Sequence, residues 1–286
     1  MRLHLVFSLW VAIVAAACAK SSDQRQYTLQ GQVISITPNH QEATVKHEEI
    51  TGLMPAMTMP YKVRNGTLLE GIVPGDLITA KLIVVPNDAY LTEVKKVGQA
   101  PLETPRPVST DAAAAASSGF ELLKPGDAVP DARFVDQNGR ARPFSSFRGS
   151  TVVLTFIYTR CPMPTFCPLM DRQFAAIQKK LTDDATDRRV HLVSISFDPA
   201  TDTPPVLKRH AANVGADPKT WTFLTGDRDA IDRFAARFGL SVSRALNDQG
   251  EITHTLRTAV VDPDGKLVKV YTGNEWTPEQ ILADLP

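Results

Sequence analysis

Between Tyr27 and about Val97, apolar and polar positions alternate in short bursts. The segments Tyr27–Ile36, Ala43–His47, Met57–Val63, Ile78–Val85 and Tyr90–Val97 are rich in Val, Ile, Leu and Thr, which suit a pleated, half-buried surface. Turn formers part them at Pro38-Asn39, Asn65-Gly66, Pro74-Gly75-Asp76 and Pro86-Asn87-Asp88. Five short strands in about 70 residues predict a small all-β barrel of the OB type. From Phe120 the period changes. Thr151–Tyr158 and Val190–Phe197 are apolar runs fit for fully buried strands. Helices are predicted at Pro168–Leu181, where Met170, Phe174, Ile177 and Leu181 share a face, and at Pro204–Val214, Asp229–Phe238 and the capped Thr277–Leu285. Thr258–Val261 and Leu267–Tyr271 flank the turn Asp262-Pro263-Asp264-Gly265 as a hairpin. Strands alternating with helices, closed by a hairpin and a helix, predict an α/β domain of thioredoxin type.

Length agrees with two domains, since 286 residues exceed the usual size of one. Residues 1–18 read as a signal peptide: Arg2 is the positive end, and the apolar stretch Leu5–Ala17 is too short to span a bilayer. Ala15-Ala16-Ala17-Cys18 resembles a bacterial lipobox, with Ala15 where Leu is usual, so Cys18 is the expected lipidated residue; an ordinary cleaved signal and an uncleaved anchor are the alternatives. Each places the chain outside the cytoplasm, in the bacterial cell envelope on the periplasmic side, and the lipid ties it to the membrane. A polar tether, Lys20–Arg25, leads to the barrel at 27–98. Residues 99–119, with three prolines and the run Ala112–Ala116, read as a linker to the α/β domain at 120–286. Lys plus Arg balances Asp plus Glu at 31 each, with no long run of either sign, which gives no support for a nucleic-acid partner.

With Cys18 in the leader, the globular part keeps Cys161 and Cys167. Two cysteines five residues apart cannot staple two domains, and outside the cytosol they pair unless reduced or occupied, for example by a metal. Cys167-Pro168 opens the predicted helix, so its dipole and free N–H groups are expected to stabilise a thiolate at Cys167.

Tyr158 to Met170, then Ser196-Phe197-Asp198-Pro199 with Asp202-Thr203-Pro204, then His254 ahead of Val261-Asp262-Pro263-Asp264-Gly265, resemble the Sco/SenC family in block order over about Phe120 to Pro286. The resemblance implies a copper site of two thiolates and one imidazole: Cys161, Cys167 and His254. It also implies delivery of copper to the binuclear copper centre of a haem–copper oxidase, or thiol–disulfide reduction of that centre. Thiolates suit Cu(I), and an added imidazole lets the same site hold Cu(II). The family usually has three residues between its cysteines where this chain has five, the extra length lying in Met163-Pro164-Thr165-Phe166. Asp198 is a candidate for a supporting group beside the ligands or for a plain turn residue. Met163 and Met170 read as packing residues, and His191 and His210 as strand-end and helix-surface residues.

The barrel segment has its own soft cluster, His47 followed by Met54-Pro55-Ala56-Met57-Thr58-Met59. Met57 and Met59, two apart on a strand, face one side. A histidine with thioethers suits Cu(I), and methionine persists in an oxidising compartment. The motif resembles that of CusF-like periplasmic copper-binding domains over about Tyr27 to Val97, with Met54 where that family has a tryptophan. A Met-lined core is the alternative. The functional reading is a copper metallochaperone rather than an enzyme. A thiol–disulfide oxidoreductase is the alternative, although a Cys-x-x-Cys is absent. A peroxiredoxin ranks last, because Tyr158 and Pro164 stand where Thr or Ser would precede its reactive cysteine.

Overall fold

The computed structural model describes residues 24–54, 56–102, 121–183, 189–244 and 252–286. The expected leader with Cys18, most of the tether and nearly all of the linker lie outside the described residues. Five strands form the N-terminal unit: β1 (Arg25–Ile36), β2 (Glu42–His47), β3 (Met57–Val63), β4 (Asp76–Val85) and β5 (Asp88–Gln99). They close a barrel in the order β1-β2-β3-β5-β4, with β4 returning to β1. All pairs are antiparallel except β3 with β5. Alternation decides which face turns in: Ala43, Val45 and His47 on β2 and Met59, Tyr61 and Val63 on β3 are buried, while the polar residues between them face out. A 3-10 turn at Gly66–Leu69, capped by the Asn65 side chain accepting from the Thr67 N–H, sends Leu69 into the core.

The C-terminal unit begins with a hairpin, β6 (Arg133–Asp136) and β7 (Ala141–Pro143), then β8 (Thr151–Ile157), helix α1 (Cys167–Asp183), β9 (Val190–Ser196), α2 (Pro204–Asn213), β10 (Trp221–Thr225) and α3 (Arg228–Ala236). A small ribbon of β11 (Val242–Arg244) and β12 (Ile252–His254) precedes the hairpin β13 (Arg257–Val261) and β14 (Leu267–Thr272) and the closing α4 (Pro278–Ala283). The main sheet runs β14-β13-β8-β9-β10-β6-β7, its centre β8-β9-β10 parallel and its flanks antiparallel. This is the thioredoxin-like α/β fold. Every residue of β8 and β10 is buried, as a sheet covered on both faces requires. α4 starts with the reciprocal Thr277–Gln280 capping box.

The C-terminal unit holds more strands than its sequence pattern predicts. β10 is only five residues long and anchors Trp221, whose indole N–H reaches the Ser194 hydroxyl at 3.0 Å. β7, β11 and β12 have three residues each, below the length at which alternation can be read.

Candidate metal centre

β8 ends at Ile157, and the chain leaves the sheet through Tyr158, Thr159 and Arg160 into a loop that ends where α1 begins. Fully buried Asp202 holds that exit: it accepts from the Thr159 N–H (3.0 Å), the Thr159 hydroxyl (2.5 Å) and the Ser196 hydroxyl (2.6 Å). Arg160 Nε pairs with Asp198 at 2.8 Å, while the Asp198 carbonyl accepts from the Thr201 and Asp202 N–H groups. Asp198 thus serves both as the turn residue before α2 and as the partner of the residue next to Cys161. The longer inter-cysteine loop is pinned from the other side. Arg172 donates to the Pro164 carbonyl (2.8 Å) and the Asn274 amide to the Thr165 carbonyl (2.7 Å).

These ties bring the two sulfurs together as free thiols, Cys167 buried and Cys161 half-buried. Hydrogen bonding from the Cys167 thiol draws the Cys161 pKa down to about 7; burial opposes this, and the Cys167 N–H, the Met163 main chain and the Tyr158 hydroxyl add to it. Burial first, and then Cys161 itself, push Cys167 well above its ordinary value. The expected thiolate at Cys167 is therefore corrected to Cys161. The Phe166 carbonyl accepts from the Leu169 and Met170 N–H groups, so Phe166 is the cap and Cys167 already lies inside the first turn. The Cys167 N–H points at the Cys161 sulfur, and charge settles on the sulfur which that N–H reaches.

His254 packs its ring 4.5 Å from that of Phe197 and edge-on to Tyr158 at 5.6 Å, centroid to centroid. Its Nδ1 donates to the Thr255 carbonyl at 2.8 Å, which leaves Nε2 as the nitrogen with a lone pair. Burial lowers its pKa to about 4, so the ring is neutral at pH 7. Tyr158 touches both this ring and Cys161. Among the described residues no three His, Cys, Asp or Glu side chains form a metal-holding group.

In the barrel, His47 stands opposite Met57, and Val45 opposite Met59. Gly31 of β1 pairs with His47; a Cβ there would meet Lys46 O at 2.5 Å and His47 Cα at 2.7 Å, so glycine alone lets β1 close over the histidine. His47 is 2% exposed, its Nδ1 donates to Glu48 O at 2.6 Å, and its buried Nε2 has no hydrogen-bond partner. Burial lowers its pKa. The Tyr61 ring meets His47 edge-on at 5.6 Å, and its hydroxyl reaches Met54 Sδ at 3.8 Å. An orphaned lone pair beside thioethers is costly in an empty core and fits a soft cation.

His191 bonds Thr222 across β9 and β10 (2.8 Å) and His210 bonds Asp171 (2.9 Å), so both serve the scaffold. Asp202, Tyr158, Arg172 and Asn274 were not given roles from the sequence; Tyr158 and Asp202 carried a signal, as the start of the Tyr158 to Met170 block and as part of the Asp202-Thr203-Pro204 block.

The SCO1/SenC family model matches residues 123–286. The chain belongs to the SCO1/SenC family. A second family model, copper binding periplasmic protein CusF, matches residues 26–96. Among curated relatives, the SCO1 protein homolog of Bacillus subtilis is 34% identical over 154 residues, covering 53% of this chain and 78% of that one. Among solved structures, a SCO1/SenC family lipoprotein from Bacillus anthracis is 29% identical with a TM-score of 0.50, covering 57% of this chain and 96% of that one. Bradyrhizobium japonicum ScoI with copper bound is 26% identical with a TM-score of 0.47, covering 55% and 97%. A relative from Stutzerimonas stutzeri, named for copper binding, is 32% identical over 151 residues, covering 51% of this chain and 70% of that one, so copper is the metal that goes with both matched regions. Among the described residues no helix is long and apolar enough to cross a membrane.

Proposed function

We propose that this SCO1/SenC chain is an extracytoplasmic copper metallochaperone. Cys161 and Cys167 take Cu(I), and His254 Nε2 joins them for Cu(II). The barrel, whose strand order fits the OB type, takes Cu(I) on His47, Met57 and Met59, with Met54 in place of an aromatic lid. The sulfur pair at the mouth of α1, held by fixed loop ties with its charge on Cys161, carries this reading. The site supplies soft donors and few of them, so copper is held yet can move on. The proposed recipient is the binuclear copper centre of a haem–copper oxidase, reached from a lipid anchor at Cys18, with 27–98 and 120–286 as working domains and 99–119 between them. Anaerobic Cu(I) titration of the reduced chain, with Cys161→Ser, Cys167→Ser and His254→Ala variants, tests it. The cysteine variants are expected to lose one of two tightly bound Cu(I) equivalents while the barrel keeps the other, and the histidine variant to lose Cu(II) retention. Equal Cu(I) stoichiometry and affinity in all four proteins rules the reading out.

The unequal thiols also favour a second reading, a thiol–disulfide reductase. Cys161 as thiolate attacks a partner disulfide and expels one partner thiolate, and Cys167 then displaces the other as the two cysteines join. The partner gains two electrons and two protons, and the cysteine pair loses them. Reduction of a copper-free oxidised partner peptide, with Cys167→Ser trapping the mixed disulfide, distinguishes it.

A further inference from the structure

The two candidate sites meet at Met163. This residue belongs to the inter-cysteine loop of the thioredoxin-like domain, yet it is buried, 4% exposed, in the core cluster of the barrel with Met54 and Met59. Met57, Cys161 and Phe166 pack against that same cluster, and Cys161 packs against the sheet core as well. The sequence has six methionines; apart from Met1 and Met170, all of them gather here. Burial and then the nearby Glu275 of the thioredoxin-like domain raise the pKa of Glu42 on β2, a second sign that this side of the barrel lies against the other domain. The unpartnered Nε2 of His47 sits in the same barrel. Packing alone does not call for this composition: a leucine fills such a gap with a better-defined shape, whereas thioethers add donors for a soft ion.

We propose that Met163 is a relay ligand, through which Cu(I) bound by the barrel passes directly to Cys161 of the same chain. The proposal rests on the copper reading of both sites. Met163 Sδ joins the barrel thioethers on the ion, the bonds to His47, Met57 and Met59 are released one by one, and each is replaced by a bond to Cys161 and then Cys167. Copper stays Cu(I) throughout, and a thiol proton lost on binding goes to solvent. The direction follows from donor charge, since a thiolate holds Cu(I) more tightly than neutral thioethers do. The loop ties from Arg172 and Asn274 fix Pro164 and Thr165 directly after Met163, while Cys161, two residues before it, packs against both cores.

The test uses the full chain, wild type and Met163→Leu, a volume-conserving change, with a thermal melt to show that both fold. One equivalent of Cu(I) is added anaerobically as a weak complex, and the copper–thiolate absorption is followed by stopped flow. In wild type, a first-order phase independent of protein concentration is expected. In Met163→Leu it slows at least tenfold or becomes concentration-dependent. In a Cys161→Ser/Cys167→Ser background, Met163→Leu weakens barrel affinity about tenfold in a chelator competition. Unchanged rate and affinity in the leucine variant, or a second-order transfer in wild type, overturns the relay. A wild-type barrel that takes up no Cu(I) overturns the copper reading of the barrel and the relay with it, and the chelator competition identifies that case.

Discussion

Replacing Asp202 removes the acceptor on which the chain's exit from β8 depends. In Asp202→Ala, three donors lose their buried acceptor: the half-buried Thr159 N–H and hydroxyl and the buried Ser196 hydroxyl. An orphaned buried donor costs about 1–3 kcal/mol. The amide cannot turn away, whereas the hydroxyls can rotate toward other acceptors, so the loss comes to about 4 kcal/mol in all. Asp202→Asn keeps the shape and one carbonyl oxygen. The hydroxyl facing the new amide can rotate to accept from it, so the loss stays near 1 kcal/mol. Tryptophan fluorescence isolates the relevant domain, because Trp221 and Trp276 are buried there and the barrel segment has no tryptophan. With a urea slope of about 2 kcal/mol per molar, the midpoint of the alanine variant falls by about 2 M and that of the asparagine variant by about 0.5 M, at unchanged slope. On the copper reading proposed above, the same displacement of Thr159 also weakens Cu(I) binding at Cys161. An alanine variant that unfolds within about 0.5 M of wild type refutes the accounting, and Asp202 is then one polar neighbour among several.

Alkylation of the reduced chain by iodoacetamide modifies Cys161 with a rate that rises with pH through about 7, while Cys167 stays unreactive; mass mapping of a pH series checks both. Met57→Leu with Met59→Leu abolishes Cu(I) uptake by the barrel and leaves its melting temperature nearly unchanged; full-strength uptake in that variant returns both side chains to plain packing. His191, whose folded pKa burial and nearby Arg142 lower to about 4, makes the domain acid-sensitive. The unfolded imidazole takes up its proton near pH 6.5 and the folded one only near 4, so stability is full above that window and falls by up to about 1.4 kcal/mol per pH unit within it. His191→Gln flattens this slope in urea melts at pH 7, 5.5 and 4.5. His210 runs the other way: burial opposes its charge, but the bond to Asp171 prevails and raises its pKa. Its share of stability is present below about pH 6.5, is lost as pH rises through the raised folded value, and disappears in His210→Asn.

The barrel strands and the main helices were legible because each carries its own period. β3 alternates from Met57 to Val63, and α1 repeats apolar residues at Met170, Phe174 and Ile177. The hairpin of β6 and β7 and the ribbon of β11 and β12 were not, since three or four residues cannot display alternation, and β6 is placed by its long-range pairing with β10. The site divides in the same way. The cysteines and His47 with its methionines were visible as residue types at telling spacings, whereas His254 stood out only through the family resemblance. Which sulfur holds the charge was not visible, because it depends on where one helical N–H points. That Met163 packs into the barrel was equally hidden, since only the docking of the two units shows it.

His254 rests against the rings of Phe197 and Tyr158, each contact of a kind worth about 0.5–1.5 kcal/mol. Were His254 to join the sulfurs as proposed, moving the imidazole would forfeit part of that stacking, and letting go would restore it. On the copper reading proposed above, the aromatic wall then acts as a return spring that favours release of the ion from His254.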